Sequence, residues 1–164
     1  MIAIGLGANL SSPRYGGPRE ACEAALDALR AAGIEVLRRS RWYRSAPVPA
    51  SDQPWFVNAV AEVRTGLSAA ELLDLLHGIE REMGRVRRVR DEARVIDLDL
   101  LIYGETLSGP GETPVLPHPR LAERAFVVLP LAELAPDWRH PGSGRSLQEM
   151  IRALPADQRA EAIE

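Results

Sequence analysis

With 164 residues, 46% of them hydrophobic and 26% charged, the chain fits one ordinary globular domain that buries about 70% of its unfolded surface and needs no covalent staple. All 20 Lys+Arg residues are arginines, which excludes a lysine Schiff base, a phosphate-binding loop ending in Gly-Lys-Ser/Thr and a protein-kinase lysine. A net charge of -3 gives no overall field to draw in nucleic acid, so any anion must be recognised locally by arginine, backbone amides or metal.

Ile2, Ile4 and Leu6 alternate with smaller residues and run into Gly7-Ala8-Asn9, which predicts a buried strand ending in a turn. After Tyr15-Gly16-Gly17-Pro18, Ala21, Ala25, Leu26 and Leu29 recur at helical spacing until Gly33 stops them. Cys22, the one cysteine, falls on this helix, where a small buried filler is the expected role. A lone cysteine, and an N-terminus with no basic residues ahead of its apolar part, predict a reducing, cytoplasmic setting. No apolar run approaches the ~20 residues needed to cross a bilayer, so no membrane role is expected.

Residues 34–45 alternate and read as one strand; residues 56–65 alternate again, with Val57, Ala59, Ala61 and Val63 on one face. Between them Pro47, Pro49 and Pro54 forbid regular structure across a long connection of the kind that often carries function. Ser68 and Glu71 form a capping box, and Leu72, Leu73, Leu75, Leu76, Ile79 and Met83 carry an apolar stripe to Gly84. An arginine-dense segment follows, then a strand over 95–103 closed by Gly104. The order strand, helix, strand, strand, helix, strand predicts an α+β, ferredoxin-like β-α-β-β-α-β sheet with helices covering one side. The last third reads as an extension of short helices over 119–122, 124–134 and 146–154. No repeat or linker divides residues 1–164, so a single domain is expected.

The sharpest chemical signal is Ile96-Asp97-Leu98-Asp99-Leu100, two acids inside an apolar strand. Alternation puts Asp97 and Asp99 on one face, about 7 Å apart, and Ile96, Leu98 and Leu100 on the other. Paired carboxylates resist burial unless cations compensate them, and oxygen ligands of this kind suit magnesium, which completes its shell with water and nucleotide phosphates. From spacing alone two alternatives stand: a merely acidic outer face, or a pair matched by the nearby arginines. Six arginines, Arg81, Arg85, Arg87, Arg88, Arg90 and Arg94, fall within fourteen residues directly ahead of the aspartates. Alone such a run is a solvated face balanced by Glu80, Glu82, Asp91 and Glu92. Beside a carboxylate pair it supplies the other half of a phosphoryl-transfer site, because arginine forks grip phosphate in two-pronged fashion.

Gly5-Leu6-Gly7 lacks the third glycine and the immediate helix of a dinucleotide fingerprint. His77, His118 and His140 make no zinc spacing, although Pro117 and Pro119 fix the backbone around His118. No Gly-x-Ser-x-Gly elbow or cysteine–histidine context supports covalent hydrolysis.

These segments together resemble the 6-hydroxymethyl-7,8-dihydropterin pyrophosphokinase family. The likeness rests on Gly7-Ala8-Asn9-Leu10, the stretches 52–60, 79–87 and 94–104, Pro117-His118-Pro119, and the stretch 124–131, in order along nearly the whole chain. The resemblance implies the ferredoxin-like fold and transfer of the diphosphate of ATP to a pterin alcohol, a step of folate biosynthesis. It implies that Asp97 and Asp99 hold two Mg2+ ions and that Arg85 and Arg94 are catalytic alongside them. It further implies that Glu80, Arg87, Arg88, His118 and Arg124 hold ATP or its phosphates. Phe56 and Phe126 match the aromatic pair that sandwiches the pterin, and Asn58 and Ser45 match groups that bond its edge. A flat heteroaromatic ring does want stacking faces and a few aimed polar groups.

The sequence departs from the family pattern before Arg94, where Arg90-Asp91-Glu92-Ala93-Arg94 stands for the usual Arg-Trp-Gly-Pro-Arg, without its tryptophan and in a stretch one residue shorter than in a common bacterial version. Ala8 stands where serine is common, and Val48-Pro49 replaces a leucine-glycine step. Residues 46–54 and 87–93 are the pieces expected to close over the substrates. Two other readings remain: a different magnesium-dependent nucleotidyl or phosphoryl transferase on the same sheet, against which Phe56, Asn58 and Phe126 argue, and a non-enzymatic RNA-binding or regulatory module. The latter lacks the aromatic and basic strand pattern such modules use, and no motif points to a protein partner.

Overall fold

The computed structural model describes residues 1–84 and 95–163. In chain order the elements are β1 (Ile2–Ala8), α1 (Pro18–Ala31), β2 (Glu35–Arg39), β3 (Tyr43–Ser45), β4 (Phe56–Arg64), α2 (Ala69–Glu82), β5 (Asp97–Tyr103), a 3-10 turn (Leu121–Glu123), α3 (Ala125–Leu134), α4 (Leu147–Arg152) and β6 (Ala160–Ala162). The strands order as β5-β1-β4-β3-β6, with β2 also on β4, and every pairing is antiparallel. This is the ferredoxin-like arrangement expected from the element order.

Residues 34–45, read above as one strand, are two. Val60 donates its N–H to the Ser40 hydroxyl at 3.0 Å while Ser40 N–H returns to the Val60 carbonyl at 2.9 Å, so the side chain of Ser40 takes a bond that a ladder would give to backbone. The break turns Trp42 fully inward, and β3 resumes with Tyr43 opposite Asn58. The helix signals hold. Pro18 begins α1, and Gly33, at φ +89°, ends it with Ile34 N–H returning to the Leu29 carbonyl at 3.0 Å. Ser68 and Glu71 cap α2 reciprocally.

Alternation on the strands divides the core. Ile4, Leu6, Ala59, Ala61, Leu98 and Leu100 face α1 and α2, whereas Ala3, Val60 and Leu101 face α3 and α4. The extension of short helices is therefore the second cover of the sheet. With Val127, Val128, Leu131 and Leu134 all buried, α3 is apolar all round because it lies between sheet and α4. Glu133 fastens α3 to the sheet: its carboxylate accepts the Arg41 N–H at 3.0 Å and the Tyr43 hydroxyl. Burial, then the bond to that carboxylate, pushes the Tyr43 phenol up to about 12. The chain closes with β6 on β3, a strand too short and too alanine-rich to signal itself.

The outer edge of β5 is also managed. Glu80, nearly completely buried near the end of α2, accepts the Leu98 N–H at 2.8 Å, occupying a donor that an edge strand would otherwise leave open. Between β1 and β5 the register shifts so that Leu101 is an extra residue, and its carbonyl accepts the His118 N–H at 2.8 Å. That bulge anchors the Pro-His-Pro segment beside the aspartates.

Candidate active site

Three central strands build the floor of the site. In register across them, Asn58 lies opposite Gly7 and Gly7 opposite Asp97, while Val60, Gly5 and Asp99 form the next row. The two glycines leave bare backbone between Asn58 and the acids. At Gly7 a Cβ would lie 2.9 Å from the Asn58 side-chain nitrogen, so any larger residue there would have to displace that amide. Asp97 and Asp99 are half-buried on this face, and Leu98 and Leu100 are buried on the other, as the alternation requires.

Over this floor lies a cleft enclosing about 630 Å³ of empty space, part of it open to solvent. Gly7, Phe56, Asn58, Asp97, Arg124 and Phe126 are among its lining residues. A smaller recess of about 250 Å³ reaches from it to Asp99. One wall is the proline-rich connection, which Asn9 pins at its far end by donating to the Gln53 side-chain oxygen and to the Pro54 carbonyl, each at 3.1 Å. The buried Asn58 is itself held: Ser45 Oγ donates to its Oδ1 at 2.6 Å, which fixes the amide so that Oδ1 is the accepting end.

Arg124, at the N-cap of α3, reaches toward both substructures. Its guanidinium is 3.6 Å from Asp99 Oδ2 and lies over the Phe126 ring, 5.4 Å from the centroid. At 3.6 Å the contact is a charge pairing and no tight hydrogen bond, so Arg124 compensates the Asp99 charge.

His118 is half-buried, and its Nδ1 accepts the Arg120 N–H at 3.1 Å. In the neutral ring Nε2 therefore carries the proton and acts as a donor. Burial first, then the positive charge of Arg124, lowers its pKa from 6.5 to about 4. The unfolded chain then binds a proton that the folded one refuses between those values, so the stability from this group is complete above about 6.5 and drains away as pH falls toward 4. In an NMR titration the His118 ring resonances should stay on the neutral limb down to about pH 5. Movement centred at its ordinary value of 6.5 would contradict the burial of this ring.

The structure thus brings together Ser45, Phe56, Asn58, Asp97, Asp99, His118, Arg124 and Phe126 from the sequence-predicted set. Glu80 sits apart, on the far face of the sheet, with its carboxylate on the β5 backbone. Arg85, Arg87, Arg88 and Arg94 lie outside the described residues. Sequence reasoning missed Gln53, Arg120 and Gln158, all of which line the cleft. Arg120 stands beside the Pro-His-Pro segment and could have been suspected, whereas nothing local marks Gln158.

Comparison with known proteins decides the family. The model described as 7,8-dihydro-6-hydroxymethylpterin-pyrophosphokinase (HPPK) matches residues 3–136. The chain belongs to this family. It is 44% identical to a 2-amino-4-hydroxy-6-hydroxymethyldihydropteridine pyrophosphokinase of Pseudomonas aeruginosa over 94% of this chain and 91% of that protein. A pyrophosphokinase of the same name from Synechocystis sp. is 39% identical over 92% of this chain and 74% of the relative. The match to the "Folic acid synthesis protein fol1" of Pneumocystis carinii is also 39% identical, covering 79% of this chain but 17% of that longer protein. As an HPPK, the chain is an enzyme that transfers pyrophosphate from ATP to a hydroxymethylpterin. Dependence on ATP and Mg2+ is typical of the family.

Proposed function

We propose that the cleft takes the pterin flat between Phe56 and Phe126, with its edge read by the Ser45-held Asn58, and that Asp97 and Asp99 serve the phosphate end of ATP. The observation that carries this reading is the shared floor. Two bare glycines join an amide to a carboxylate pair, so a flat ring and a charged tail can lie side by side without a side chain between them.

The residues fit a hard divalent cation: two oxygen-donor acids on one face, half-buried, with a cationic side chain 3.6 Å from one of them. Asp97 and Asp99 would hold magnesium, which when bound supplies charge compensation to the phosphates and lowers the pKa of nearby oxygens. The rest of the chemistry falls to the chain. Stacking and the Asn58 amide orient the hydroxymethyl oxygen toward the β-phosphorus; as that bond forms, the bond from the β-phosphorus to AMP breaks and the alcohol proton is released. His118, protonated on Nε2, donates to a phosphate oxygen and does not serve as the base. Arg124, already between the acids and the ring of Phe126, stabilises charge where acceptor and phosphate meet. Arg85 and Arg94 are the further catalytic arginines, with Arg87 and Arg88 on the phosphates, and Glu80 serves the nucleotide end through the β5 backbone that it holds.

Calorimetry with a non-hydrolysable ATP analogue and 6-hydroxymethyl-7,8-dihydropterin tests the reading. Analogue binding should require Mg2+, and pterin should bind this chain with an affinity that survives replacement of the phosphate chemistry. Pterin affinity absent with and without analogue would rule out the acceptor assignment.

A further inference from the structure

The segment after α4 lies beyond residues 136, where the family match stops, yet it forms part of the cleft wall. It is fastened at three points. Ala46 N–H donates to the Arg159 carbonyl at 3.0 Å, β6 pairs Ala160 with Ser45, and the Arg159 guanidinium lies 5.0 Å from the centroid of the Trp55 ring. Gln158 therefore enters the cleft from a backbone whose next two residues, Arg159 and Ala160, are held by Ala46 and Ser45.

The Gln158 side chain is oriented as well as placed. Its Oε1 accepts the N–H of Ala125, the first residue of α3, at 3.0 Å. That donor is one of the helix N-terminal groups with no partner inside the helix, so the bond fixes which end of the amide is oxygen. With Oε1 taken, the Nε2 end, with two protons to give, remains as the donor of a side chain that lines the cleft together with Phe56, Asn58 and Phe126. Asn58, whose oxygen is taken by Ser45, presents an amide nitrogen in the same way.

We infer that Gln158 is a specificity-determining residue of the acceptor pocket: its Nε2 donates to an acceptor atom on the edge of the bound heterocycle, while its Oε1 sets the start of α3 and hence Phe126. The inference rests on the reading of the cleft as the pterin site. It calls for a ligand with acceptor atoms on more than one edge, as a pterin has in its ring nitrogens and carbonyl oxygen, and it disfavours a ring whose corresponding edge carries only donors.

Two variants separate the two ends of the amide. Gln158→Glu keeps an oxygen for Ala125 N–H and removes the donor; Gln158→Ala removes both. With pterin and the ATP analogue titrated separately, Gln158→Glu should weaken pterin about tenfold and leave the analogue within about twofold, with an unchanged melting temperature. Gln158→Ala should weaken pterin at least as much and also melt earlier. Pterin affinity in Gln158→Glu within about twofold of the parent overturns the inference and leaves the cleft reading intact. Equal weakening of both ligands by Gln158→Glu also overturns it, as a general charge effect. A parent chain that binds no pterin, with or without the analogue, brings down the cleft reading itself, an outcome visible before any variant is made.

Discussion

Replacing Asp97 or Asp99 by asparagine should lower kcat/KM by about a thousandfold or more while the protein stays folded. The expected loss corresponds to about 4 kcal/mol of transition-state stabilisation, of the order that a metal and its ligands supply in phosphoryl transfer. Asparagine keeps the size and an oxygen but not the charge, so the floor of the cleft keeps its shape. The two positions should differ in a second readout. Asp99 compensates Arg124, of which only 16% of the side chain is exposed, so Asp99→Asn leaves that cation with one less partner and should cost about 1 kcal/mol of stability or less. AMP release under saturating Mg2+, together with thermal melts, measures both quantities. Full turnover in either variant would remove the acid pair from the mechanism.

Phe126→Ala should weaken pterin binding by about ten- to a hundredfold, the range for loss of one stacking face against a heterocyclic ring. The residue is half-buried at the start of α3, packed on the second core but open to the cleft, so truncation removes contact area on both sides. Its stability cost should be moderate, about 1–2 kcal/mol, because the core beneath is closed by Val127, Val128 and Leu131. ATP-analogue affinity should change by about twofold or less, since the ring touches the acceptor end and not the phosphates. Phe126→Leu restores bulk without an aromatic face and should recover the stability but little of the pterin affinity. A pterin dissociation constant unchanged in Phe126→Ala would leave this ring a packing residue only.

Much of this architecture was legible because it rests on periodicity. The Ser68–Glu71 cap, the stripe of α2 and the alternation of β5 up to Leu100 each express a local rule, and each appears where the pattern put it. The same alternation was enough to place Asp97 and Asp99 on one face. What could not be read is non-local. Ser40 alternates as well as any strand residue, and only its hydroxyl's partnership with Val60, twenty positions away, breaks residues 34–45 into two strands. The strand at Ala160–Ala162 pairs on the edge that β3 offers, and Gln158 reaches the cleft through that pairing and the bonds beside it. Glu80 shows a further limit: a glutamate at the end of a helix beside an arginine run carries no local mark of its burial or of its bond to Leu98, which follow from how α2 crosses β5. The arginines assigned with it lie outside the described residues.

The placement of Gly5 and Gly7 on β1 has a consequence for endurance. That strand is bonded along both edges by β4 and β5 and packed on α1 and α2 through Ile4, Leu6 and Ala8, so its ladder belongs to the most protected part of the sheet. Fraying of the terminal strand or detachment of the proline connection would empty the walls of the cleft yet leave its bed at the same spacing. A partly opened molecule therefore regains a working geometry by redocking its margins, without having to rebuild the ground on which the acids stand.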